Sequence, residues 1–158
     1  MKKTALILCT AALAGIMNFP VFAAQTKAEY KTESTQVRQE LENTGKTIKS
    51  LQEENKAAAA QCKAARKTQK EAGQLKENKD AWKQVNTLKD SITDIKVSYV
   101  ESTGQTRLLK AQASQDVKDG KYDEALAKMN QALEQKKESL KYMEQINGVW
   151  DQIDQLIK

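Results

Sequence analysis

The side chains that do chemistry at neutral pH are scarce in this chain. It has no histidine, which removes the usual general base and the usual zinc or haem ligand. Its cysteines are Cys9 and Cys62, and Cys62 falls on an apolar helical seam, where a thiol behaves as a small inert core group. An electrostatic all-helical enzyme needs several inward-facing arginines, but only Arg38, Arg66 and Arg107 are present. Their positions along the expected helices put them on different rungs. Asp116, Asp119, Asp123 and Glu124 cluster around a turn. Their spacing does not follow a helix-loop-helix calcium loop, and helix capping accounts for them better. The expectation is no enzyme, no catalytic residues, no cofactor and no metal.

Charge is the stronger signal. Residues 56–89 carry Lys56, Lys63, Arg66, Lys67, Lys70, Lys76, Lys79, Lys83 and Lys89 against Glu71, Glu77 and Asp80, a net +6. Residues 24–55, 90–120 and 121–158 each come to −1. A block of this kind attracts anionic surfaces such as phospholipid headgroups, lipopolysaccharide, wall polymers or acidic proteins. It is equally well read as a solvated helical face. Lys63, Arg66, Lys67, Lys70, Lys76, Lys79 and Lys83 form the candidate anionic-partner surface. Nucleic acid is disfavoured, because the chain is expected to be exported and Trp82 is the block's one aromatic residue.

Export is read from the first residues. Lys2 and Lys3 precede an apolar run from Ala5 to Met17. Pro20 follows, then the small residues Val21 and Ala23 at −3 and −1 of a cleavage point before Ala24. This is the layout of a secretory signal peptide over residues 1–23. The run is too short to span a hydrocarbon core of about 30 Å as a helix. Cys9 lies inside it after the bulky Ile7 and Leu8, which argues against lipidation. Removing residues 1–23 takes away two lysines, Cys9 and the chain's one proline, so the net charge falls from +5 to +3. The expected product, residues 24–158, is a single exported domain, periplasmic or secreted. With one cysteine it has no internal disulfide and must be held by packing.

The elements that position these groups are helices. A chain rich in Ala, Lys, Gln, Glu and Leu and lacking proline has few reasons to leave the helical state. The periodicity predicts three helices, over about 27–73, 80–118 and 121–157. The first carries a seven-residue, coiled-coil-like seam: Ser34, Val37, Leu41, Thr44, Ile48, Leu51, Asn55, Ala58, Cys62, Ala65, Gln69 and Ala72. Gly45 is a candidate kink within it. The second begins with Asp80 as cap and runs through Trp82, Val85, Leu88, Ile92, Ile95 and Tyr99 to Leu109, Ala113 and Val117, with Gly104 as its weak point. Asp119-Gly120 ends it. The third carries Tyr122, Ala125, Met129, Ala132, Leu133, Leu140, Met143, Ile146, Trp150, Ile153 and Ile157.

Folding the chain about residues 77 and 120 predicts an all-α, up-down-up antiparallel bundle. Trp82 and Trp150 then meet the alanine-rich half of the first helix, so bulky groups face small ones, and both are expected to be core anchors. Asn55 is expected opposite Tyr99.

Residues 119–134, DGKYDEALAKMNQALE, resemble the middle of a tetratricopeptide repeat through Gly120, Tyr122, Ala125, Leu126, Ala132 and Leu133. The resemblance covers about one tenth of the chain. The family's tryptophan and glycine positions hold Leu109 and Ala113, its closing proline position holds Lys137, and no 34-residue repeat recurs. It implies a helical hairpin sharing that turn chemistry, not a peptide-binding superhelix.

Three functional expectations follow. The first is a non-catalytic interaction or structural module of the cell envelope or extracellular space, binding a protein or envelope polymer through a helical face. The second is a binder of anionic membrane or wall surface through the basic tip, residues 56–89. The third is a homo-oligomer pairing through residues 34–51, where the first helix is expected to overhang the others.

Overall fold

The computed structural model describes residues 26–158. The signal-peptide features, Lys2 to Ala23, lie outside the described residues. Three helices make up the fold: α1 (Lys27–Glu71), α2 (Lys79–Lys118) and α3 (Tyr122–Ile157). No strand occurs among the described residues.

Thr26 starts α1 through a reciprocal capping box: its hydroxyl accepts from Glu29 N, and Glu29 Oε2 accepts from Thr26 N at 2.9 Å. Both connecting turns use a glycine at φ +74°, Gly73 and Gly120, the left-handed conformation that other residues adopt only with strain. At Gly120 the helix closes with Lys121 N donating to Asp116 O at 2.8 Å. The expected cap Asp80 lies inside α2. Asn78 is the cap residue instead, and its side chain reaches back to Gln69 Oε1 at 3.0 Å rather than onto the helix end. The expected interruptions also do not occur, since α1 runs unbroken through Gly45 and α2 through Gly104. One glycine inside so long a helix costs about 1 kcal/mol, too little to outweigh the packing on either side.

The chain runs up, down and up. Ser102 of α2 meets Ser139 of α3, and Asp116 pairs with Lys128, as an antiparallel hairpin about Gly120 requires. Asn55 donates to Met143 O and Gln69 to Ile157 O, so α1 runs parallel to α3. The helices do not pack equally, however. α3 carries extensive packing against both α1 and α2, whereas α1 and α2 approach each other only slightly. This explains the burial pattern of α1. Ser34, Leu41, Ile48, Asn55 and Cys62, at one position of the heptad, are buried, joined at the other position only by Tyr30 and Val37 near the start of the helix. Thr44, Leu51, Ala58 and Ala65 are only half-buried, because a helix with one close neighbour buries a narrow stripe.

The core lies along α3. Its main cluster joins Ile48, Cys62, Trp82, Val85, Ile92, Met143, Ile146, Trp150 and Ile153, with Ala58 and Ala59 packed against it. Both tryptophans are therefore buried in one cluster beside small side chains. Toward the second turn the packing continues through Val37, Leu41, Ala113, Met129 and Leu133, then Tyr30, Ala125 and Leu126. Tyr30 and Tyr122 pack as a tilted pair with ring centroids 6.1 Å apart. The beginning of α1 is thus covered by the beginning of α3, and the expected overhang is absent. Val37, Leu41 and Ile48 are buried within the chain, so the 34–51 seam is not a free pairing surface.

The segment resembling a tetratricopeptide repeat forms the α2–α3 turn and the start of α3. Ala125, Leu126, Ala132 and Leu133 are all buried there, where α3 meets its neighbours.

Candidate functional site

Because α1 and α2 both lie on α3 without closing on each other, a long groove runs between them. Its middle section encloses about 760 Å³. Leu41, Ile48 and Met129 form an apolar floor. Residues 38, 42, 45, 49 and 52 of α1, at alternating steps of three and four, present one helical face to it. From α2 come Tyr99, Thr103, Thr106, Arg107 and Lys110, and from α3 comes Lys136. Gln52 Nε2 donates to Tyr99 Oη at 2.8 Å, bridging the groove. Beyond that bridge a second, apolar section of about 470 Å³ opens over Met143, Ile146 and Trp150, flanked by Ala59 and Val100.

The bridge corrects one expected pairing. Tyr99 meets Gln52, while Asn55 turns to α3 and donates to Met143 O. Asn55 is buried, and its Oδ1 has no hydrogen-bond partner. The expected register assumed that α1 and α2 pack directly. With α3 between their cores, the polar seam residue of α1 points to α3 instead.

The middle section is cationic. Arg38, Lys49, Arg107, Lys110 and Lys136 line it with two acids, Glu42 and Glu53. Both acids are engaged along α1, Glu42 with Lys46 at 2.7 Å and Glu53 with Lys56 at 3.8 Å. The contact with Lys46 holds the Glu42 carboxyl below its ordinary value. Burial, reinforced by the charges of Lys110 and Arg107, pushes Lys136 below the usual lysine range. Arg38 and Arg107, placed on different rungs by the sequence, line the same groove.

The basic tip is a different kind of surface. Lys63, Arg66, Lys67, Lys70, Lys76, Lys79 and Lys83 are all exposed, and they surround the first turn. Two are partly engaged: the Arg66 guanidinium lies 5.7 Å from the centre of the Trp82 ring, and Lys67 pairs with Glu71 at 3.8 Å. Two acids of the cluster at the second turn are engaged locally, whereas Asp123 Oδ1 is buried with no hydrogen-bond partner. Asp116 is buried against Lys128, and Asp119 accepts from Gln115 at 3.0 Å. Among the described residues no group of histidine, cysteine or acidic side chains is placed to hold a metal. None of their helices is long and apolar enough to cross a membrane. Cys62 is a free thiol, 1% exposed.

No family model, curated protein or solved structure matches the chain.

Proposed function

We propose that this is an exported, non-catalytic interaction protein of the cell envelope or extracellular space, which takes a protein or envelope-polymer partner along the groove between α1 and α2. The observation that carries this reading is the arrangement of the helices. Two helices laid on a third with a gap between them leave a groove, and a groove between neighbouring helices is where a further helix packs in a bundle. The apolar section over Met143, Ile146 and Trp150 offers the burial such an interaction needs. Beside it α2 exposes Val100 at 65% and Val97 at 56%. The capping box at Thr26 starts α1 just after the expected cleavage point, which fits export.

A photo-crosslinking amino acid at position 100, compared with one at the exposed position 141 of α3, tests the reading in cells exporting the protein. A discrete partner adduct from position 100 alone is expected. No adduct from position 100, or equal labelling from both positions, would sink it.

Seven exposed cations around one turn favour a second reading, attachment to an anionic membrane or wall surface through the tip. Sedimentation with anionic vesicles at low and high salt checks it. Binding should be salt-sensitive and lost when Lys63, Arg66, Lys67 and Lys70 become Gln; binding that survives those changes rules out the tip.

A further inference from the structure

We propose that the middle of the groove is a binding site for a compact organic polyanion, one carrying two or more phosphate or carboxylate groups, held by Arg107, Lys110 and Lys136 with Arg38 and Lys49 at its ends. This goes beyond a partner-binding groove, since it assigns a small-molecule ligand to a section that the apolar contact over Met143 does not use.

The three central cations converge from two helices. Gln52 and Tyr99 are bonded across the groove, so antiparallel α1 and α2 can be read outward from that pair. Lys110, eleven residues past Tyr99, lies level with residue 41, and Arg107 lies level with about residue 44. Lys136 rises from α3 beside Gly45: a Cβ on that glycine would sit 3.7 Å from its Cε. At about 1.5 Å rise per residue, the three span roughly 6 Å along the groove. Arg38 extends the row toward the second turn and Lys49 toward the bridge.

Among the described residues none of these five cations makes an ion pair or hydrogen bond, and the groove's two acids are already paired along α1. Concentrating unpaired like charge over an apolar floor disfavours the folded state. The same arrangement gathers unpaired donors for an anion, where a second or third negative charge adds further charge-assisted contacts. A volume of about 760 Å³ accommodates a small molecule. Thr103 and Thr106 supply hydroxyls on the same face. Arg38, Lys49, Arg107 and Lys110 keep their exposure to solvent and Lys136 is half-buried, yet three helices bring all five to the lining of one cleft.

Isothermal titration of residues 24–158 with inorganic pyrophosphate, citrate and acetate, at fixed ionic strength, tests the site. Pyrophosphate, citrate or both should bind one per chain, and acetate should bind at least about tenfold more weakly. Arg107→Gln combined with Lys136→Gln should weaken polyanion binding by at least about tenfold, with helical content unchanged. Replacing Lys63, Arg66, Lys67 and Lys70 by Gln should leave it unaltered. Saturable binding of neither polyanion, equal binding by the groove variant, or loss confined to the tip variant each overturns the proposal. The crosslinking result at position 100 is independent of all three.

Discussion

The indole Nε1 of Trp82 donates to Gln69 Oε1 at 2.9 Å. That oxygen also accepts from Asn78 Nδ2 at 3.0 Å, and Gln69 Nε2 donates to Ile157 O at 3.4 Å. One half-buried side chain of α1 thus ties the start of α2 to the end of α3, at the end of the bundle where the helices would otherwise splay. Trp82 is 7% exposed, so its N–H has little access to water and depends on this acceptor.

Gln69→Leu removes the acceptor and leaves a nearly buried donor unpaired, which costs about 1–3 kcal/mol. Gln69→Glu keeps the acceptor for Trp82, loses only the longer bond to Ile157 O, and should cost less. Urea unfolding monitored by tryptophan fluorescence measures both, and equal stability of the two variants would contradict the role given to this hydrogen bond.

Ser139 is 0% and Ser102 6% exposed, and their hydroxyl oxygens lie 2.8 Å apart across the α2–α3 interface. Each also donates or can donate to a carbonyl of its own helix, Ser102 to Tyr99 O and Ser139 to Gln135 O. Replacing one serine by alanine should cost about 1 kcal/mol, and replacing both should cost less than the sum, because the second change removes a group whose cross-helix contact the first has already taken away. A double-mutant cycle with strictly additive costs argues against coupling.

Much of the architecture was legible because the seven-residue seam of α1 and the stripes of α2 and α3 are long and periodic, and because Gly120 marks a turn that only one conformation satisfies. The site was not. Residues 24–55, 90–120 and 121–158 each sum to −1, yet they supply Arg38 and Lys49, Arg107 and Lys110, and Lys136 to one groove. Charge counted along the chain cannot register a cluster assembled across three helices. The Asn55–Tyr99 pairing failed for a related reason: periodicity shows that a residue faces a neighbour, not which of two neighbours it faces. Gly45 read as a candidate kink, yet α1 runs unbroken through it, because the packing on either side outweighs one glycine's helix cost.

The glycines separate by conformation. Gly104 and Gly148 are helical, and a methyl group added at either would meet nothing within 4 Å. A Cβ at Gly45 would make only an ordinary contact with the flexible end of Lys136. Alanine at each should stabilise by about 0.5–1 kcal/mol. Gly120→Ala should destabilise by about 1–2 kcal/mol, since φ +74° disfavours a side chain. Thermal melts of the four single variants check the signs.

Cys62 is 1% exposed within the main core cluster. Its reaction with a thiol reagent should therefore require opening of the bundle, at a rate that rises in step with unfolding as urea is added. Rapid stoichiometric labelling of the native protein would show that the α1–α3 contact opens easily at this end.

Lys136 provides a pH test of the groove. Burial and the charges of Lys110 and Arg107 lower its pKa in the folded state from the ordinary 10.5. Below the lowered value the lysine is charged in both states, and the folded state alone bears the repulsion. As pH rises through that value the folded protein loses the proton first, the unfolded chain binds more protons, and the Lys136 contribution to stability rises until 10.5 is passed. Lys136→Met, which keeps the apolar stem without the charge, should therefore be more stable than the parent at neutral pH. The difference should shrink as pH approaches 10.5 and as salt screens the neighbouring cations. A polyanion in the groove reverses the shift by favouring charged Lys136, so in the alkaline range its binding should take up protons. Titrations in two buffers of different ionisation enthalpy read that uptake directly. A proton count of zero in the parent, or one that Lys136→Met leaves unchanged, would separate this lysine from the anion site.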